Sequence, residues 1–108
     1  MLAEKHCTAC VPGTPTLSPD KAKELMRQID PAWVLEADHI TRTVSTASFA
    51  EAFSLATPVA LLAERQGHHP DLTVKWGCLK IRLKTHVADG LTENDFIMAS
   101  GIDRIIEE

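Results

Sequence analysis

No apolar run in this 108-residue chain approaches the roughly 20 residues needed to cross a bilayer. The start, Met1-Leu2-Ala3-Glu4-Lys5-His6, lacks the apolar stretch of a secretory signal. Basic excess is missing too. Net charge is −4 and the pI is near 5.7, so the charge balance does not ask for nucleic acid or an anionic membrane surface as a direct partner. The three cysteines are an odd number and make no disulfide framework, which fits a reducing compartment. A cytoplasmic location is therefore expected. Internal repeats and low-complexity segments are also absent.

What is present is the composition of an ordinary folded domain, 44% hydrophobic and 24% charged. That length supports one domain with a single modest core. Residues 1–17 carry Pro12, Gly13 and Pro15 among small residues, with no sustained apolar period, and are expected to form a flexible arm. Residues 18–108 are expected to be the folded domain.

Ser18-Pro19 has the chemistry of a helix start, and Ala22, Leu25, Met26 and Ile29 follow at helical spacing until Asp30-Pro31. Trp33–Leu35 and Ile40–Val44 have the composition of strands, joined by a short turn over Glu36–His39. Ser48 and Glu51 form a capping box before a second helix. Its apolar stripe is expected through Phe49, Phe53, Ala56, Ala60 and Ala63, ending near Gly67 and kinked at Pro58. Leu72–Trp76 and Leu79–Lys84 read as two more strands, with apolar parity changing across Gly77. Thr92 and Asp95 then open a last helix through Phe96, Ala99, Ile102 and Ile106. The order α-β-β-α-β-β-α predicts an α+β fold: a four-stranded antiparallel sheet with three helices packed on one face.

The chemistry concentrates in His68-His69-Pro70 and His86. Imidazole is the side chain whose unperturbed pKa lies nearest neutrality, so three together suit proton transfer. Glu64 stands four residues before His68, on the same helix face if the turn persists. Pro70 pushes His69 towards an extended backbone, so the helix must yield there. The plainer reading is that histidines near a helix end are solvated and complement the dipole. By itself Glu64 would be a solvated helix residue, Asp95 a helix cap and Trp76 a partly buried core residue.

The stretch Glu64-Arg65-Gln66-Gly67-His68-His69-Pro70, then Trp76, Thr85-His86, Gly90-Leu91-Thr92 and Asp95, resembles the signature of pterin-4a-carbinolamine dehydratases. The similarity extends upstream through Trp33, Phe49, Phe53 and Val59-Ala60, from about Leu17 to Ile106. Asp71-Leu72 departs from the acidic-aromatic pair common after the proline. Cys78 stands where lysine is common, and Pro58 is unusual. The resemblance implies loss of water from a 4a-hydroxytetrahydropterin, within the recycling of the pterin cofactor of aromatic amino acid hydroxylation. It implies His68, His69 and His86 as catalytic residues, with Glu64, Pro70, Trp76 and Asp95 at the substrate. It implies no cofactor, no metal, and a homodimer or homotetramer. Similar animal proteins also act as dimerization cofactors of a homeodomain transcription factor, a role for which this chain has no motif. Two alternatives remain: an interaction module without catalysis, and a small zinc protein using Cys7 and Cys10.

Overall fold

The computed structural model describes residues 2–107. Ser18 starts helix α1, Pro19–Met26, by accepting the Lys21 amide on its hydroxyl at 3.2 Å. The chain then turns past the buried Ile29 and Trp33 into a two-residue strand β1, Val34–Leu35. Glu36 N–H donates to the His39 carbonyl at 2.9 Å, which closes the turn into β2, Ile40–Ser45. Helix α2 spans Phe49–Gln66 and runs through Pro58 without a break. Strands β3, Asp71–Lys75, and β4, Cys78–Leu83, form a hairpin around Trp76-Gly77. Gly77 has a φ of 83°, which a residue with a Cβ rarely adopts. Helix α3, Glu93–Glu107, completes the expected order.

The sheet is antiparallel throughout, in the order β1-β2-β4-β3. Register places Val44 opposite Leu79, which in turn faces Val74, and Ile40 opposite Leu83. These side chains share the face against the helices, where Leu79, Ile81 and Leu83 meet Phe96, Met98, Ile102 and Val59. Each such side chain contributes about 1.5–3 kcal/mol when fully buried. The alternate positions, including Thr43, Lys80, Thr73 and Lys75, are exposed on the other face.

The stripe of α2 differs from the sequence expectation. Ala52, Ala56, Val59 and Ala63 are the buried row, whereas Phe49 and Phe53 are at least half exposed and Ala60 is exposed. A row of small residues lets α2 lie close to the sheet and α3. Two bulky rings would have held it away.

One carboxylate ties distant segments together. Asp103 on α3 accepts the Asp30 amide at 2.8 Å and the Trp33 indole N–H at 2.7 Å, and it pairs with Arg42 of β2. Residues Leu2–Glu4 form a single 3-10 turn against α3, with Leu2 buried in the main core. Among the described residues, no helix is long and apolar enough to cross a membrane.

Candidate functional site

The C-terminus of α2 builds the centre of the site. Gly67 is left-handed with φ 64°, and its amide and that of His68 both turn back to the Ala63 carbonyl. This helix stop satisfies orphan carbonyls and fixes where the next residue leaves the helix. His68 therefore departs inward and His69 outward, before Asp71 enters β3.

His68 is held by a buried carboxylate. Its Nε2 lies 2.7 Å from Asp95 Oδ1, in a pair where the side chains are 10% and 0% exposed. The other oxygen, Asp95 Oδ2, accepts the Thr85 hydroxyl at 2.8 Å and the Thr92 amide at 2.9 Å. Thr85 and Thr92 hydroxyls meet at 2.8 Å. A carboxylate so supplied with donors accepts from the imidazole, so Nε2 carries the hydrogen and Nδ1 is the ring's acceptor. Asp95 both caps α3, as its position after Thr92 suggested, and orients His68.

His69 pairs with Glu64 across the last turn of α2, and here the side chains are 60% and 73% exposed. His86 follows β4 on a second 3-10 turn, His86–Ala88, whose ends are joined by a bridge between Thr85 and Gly90. Asp89 closes that turn in the left-handed region, at φ 53°. His86 is exposed.

Gly67, His68, His69, Lys84, Thr85, His86, Val87, Asn94, Thr8 and Cys10 line one hollow of about 210 Å³. The structure thus brings the three predicted histidines together, with Asp95 behind His68 and Glu64 against His69. Pro70 follows directly on His69 and is partly buried. Trp76 is not brought into this hollow. The five residues of β3 carry it to the far end of the hairpin, on the order of 17 Å away. There its side chain is 76% exposed, not the partly buried core residue expected. A larger cavity of about 390 Å³ lies elsewhere, among α1, the β1–β2 turn and Asp89-Gly90-Leu91. It holds no histidine.

Lys84 is a site residue the sequence did not single out. Its ammonium lies 2.8 Å from Asp89 and 3.1 Å from Asp38, and these hydrogen bonds push its pKa upward. In return Asp38 falls to about 2, through hydrogen bonds from His39 first and Lys84 second. Asn94 and Thr8 also escaped notice, whereas Thr85 entered only beside His86 in the signature and Cys10 only as a candidate zinc ligand with Cys7. Burial pushes the Cys7 thiol up to about 11, with Asp95 and Cys10 adding to the effect. All three cysteines are free. Among the described residues, no three His, Cys, Asp or Glu side chains come together to hold a metal, so Cys7 and Cys10 gain no third ligand of that kind.

Comparison with known proteins gives one family. Residues 15–105 match the family model for pterin 4 alpha carbinolamine dehydratase. Two similar proteins bear the name "Putative pterin-4-alpha-carbinolamine dehydratase". That of Alkaliphilus metalliredigens is 43% identical over 104 residues, 95% of this chain and 94% of its own. That of Methylococcus capsulatus is 39% identical over 109 residues, 99% of this chain and 95% of its own. A crystal structure of a transcriptional coactivator/pterin dehydratase from Brucella melitensis superposes with a TM-score of 0.75 at 32% identity. That match covers 83% of this chain and 97% of the Brucella chain.

Proposed function

This chain belongs to the pterin-4-alpha-carbinolamine dehydratase family, and from that membership we propose that it removes water from a 4a-hydroxytetrahydropterin to give the quinonoid dihydropterin. The observation that carries the proposal is the meeting of His68, His69 and His86 around one hollow. In the reaction the C4a–O bond breaks and a C4a–N5 double bond forms. Hydroxide leaves poorly, so an acid must protonate it, and a base must take the N5 hydrogen.

His68 suits the base. Asp95 fixes its Nε2–H, which leaves the Nδ1 lone pair to accept the N5 proton. His69 suits the acid. Glu64 hydrogen-bonds its exposed ring, and the imidazolium form gives its proton to the departing oxygen. Water leaves, and both imidazoles are reset by proton exchange with solvent. His86 and Lys84 line the same hollow and anchor the heterocycle. Pro70 belongs to this reading through the backbone it sets for His69. Trp76 would have to reach substrate from its distant turn or from another copy of the chain.

The reading includes pterin recycling for aromatic amino acid hydroxylation, in a cytoplasmic homodimer or homotetramer. Exposed Phe49, Phe53 and Leu61 on α2 support assembly, as does β3 at the sheet edge with a hydrogen-bonded neighbour on one side. A stopped-flow assay on freshly generated 4a-hydroxytetrahydropterin tests the function. Intact protein should accelerate dehydration, and His69→Ala should lower turnover about 10²-fold while remaining folded, since its side chain is exposed. A protein that assembles but leaves dehydration at its spontaneous rate would be a scaffold instead.

A further inference from the structure

The histidine hollow has a wall that comes from the other end of the chain. Cys7 N–H donates to Gln66 Oε1 at 2.7 Å, on the last residue of α2. Thr8 N–H donates to Asn94 Oδ1 at 3.0 Å, and Asn94 Nδ2 donates back to the Thr8 carbonyl at 2.6 Å. The side-chain amide of Asn94 thus grips a single residue of the arm on both its donor and its acceptor, as a neighbouring strand would. The same Nδ2 lies 3.2 Å from Cys10 Sγ, and Cys7 Sγ lies 3.6 Å from the Asn94 carbonyl. Asn94 itself is buried.

The gripped segment separates two hollows. On one side is the histidine site. On the other is a hollow of about 240 Å³ lined by His6, Thr14, Glu93 and Ile97. Thr8, Cys10 and Asn94 border both. Removing the segment would therefore open the histidine site sideways into a second space.

We propose that Thr8 and Cys10 form part of the pterin-binding surface, and that Asn94 is the positioning residue that holds them there. This rests on the dehydratase reading. A flat bicyclic ligand entering between His68, His69 and His86 would have Cys10 along one side, so a bound pterin shields that thiol. The arm sets the width of the site, and so affects binding more than the proton transfers, which belong to the histidines.

Two measurements test this on the intact protein. In the first, iodoacetamide alkylation of each cysteine is followed by peptide mass spectrometry, with and without a saturating stable 7,8-dihydropterin whose binding is measured separately by fluorescence. Cys10 should be alkylated at least about fivefold more slowly with pterin bound, following its fractional occupancy. Cys78, at the start of β4 and away from the hollow, should be unaffected. In the second, Asn94→Ala should raise KM about tenfold with kcat within about twofold, the pattern of lost uniform binding. Gln66→Ala removes the clip at Cys7 from a different helix and should move KM in the same direction. It serves if Asn94→Ala fails to fold. Pterin that binds without protecting Cys10, with KM unchanged in either folded variant, overturns the role of the arm and leaves the dehydratase reading standing. Absence of pterin binding overturns both.

Discussion

His68 and His69 are neighbours in sequence, each paired with a carboxylate, and their surroundings are opposite. The His68–Asp95 pair is buried among Thr85, Thr92 and the core side of α3. The His69–Glu64 pair stands in solvent on the last turn of α2. The difference shows how one helix stop can produce two kinds of imidazole. The inward ring has its orientation fixed and one nitrogen committed, as a base must. The outward ring can turn and exchange protons with water, as an acid that must be reloaded each cycle should.

Truncating the two carboxylates is the most direct way to break that contrast. Asp95→Ala leaves the Thr85 hydroxyl, the Thr92 amide and His68 Nε2 without their acceptor. It should cost about 3 kcal/mol in urea unfolding and lower turnover by about 10²-fold or more. Glu64→Ala should leave stability within about 0.5 kcal/mol, because an exposed pair is screened and held by mobile side chains. Its turnover should fall by less than about tenfold. Equal stability losses in the two variants would end the distinction between the sites.

A smaller effect concerns Asp38, whose folded pKa of about 2 lies below the ordinary carboxylate value. A lowered pKa contributes stability that is present above about pH 4, the unfolded value, and is lost as pH falls towards about 2. Asp38→Asn should therefore be slightly less stable than the intact protein above about pH 4, show a flatter curve between about pH 4 and 2, and converge with it below about pH 2. Acid titration of unfolding by circular dichroism reads this. Identical acid limbs would remove Asp38 from the balance.

The sequence carried much of this architecture because its signals are local. Ser18-Pro19, Ser48 with Glu51, and Thr92 with Asp95 mark helix starts through bonds spanning three residues, and all three helices begin there. Alternation in Leu79–Lys84 gave the inner face of β4 directly. The phase of α2 was misread because Phe49 and Phe53 outweigh Ala52 and Ala56 in hydrophobicity, while close packing rewards small size. The site was half legible. Three histidines announced themselves by chemistry, but the clasp between Thr8 and Asn94 joins residues 86 positions apart and leaves no local pattern. Trp76 was drawn towards the pterin by resemblance, and within one chain the direction of β3 sets it at the far end of the hairpin.

Asp103 has a consequence for synthesis. It is the main counter-charge for Arg42, whose only other acidic neighbour among the described residues is Asp30 at 3.6 Å. Translation supplies Asp103 some sixty codons after Arg42. The hairpin β1–β2 thus emerges from the ribosome with Asp30 beside its guanidinium but without the main counter-charge. Docking of α3 therefore completes the charge balance of β2 as well as the apolar core.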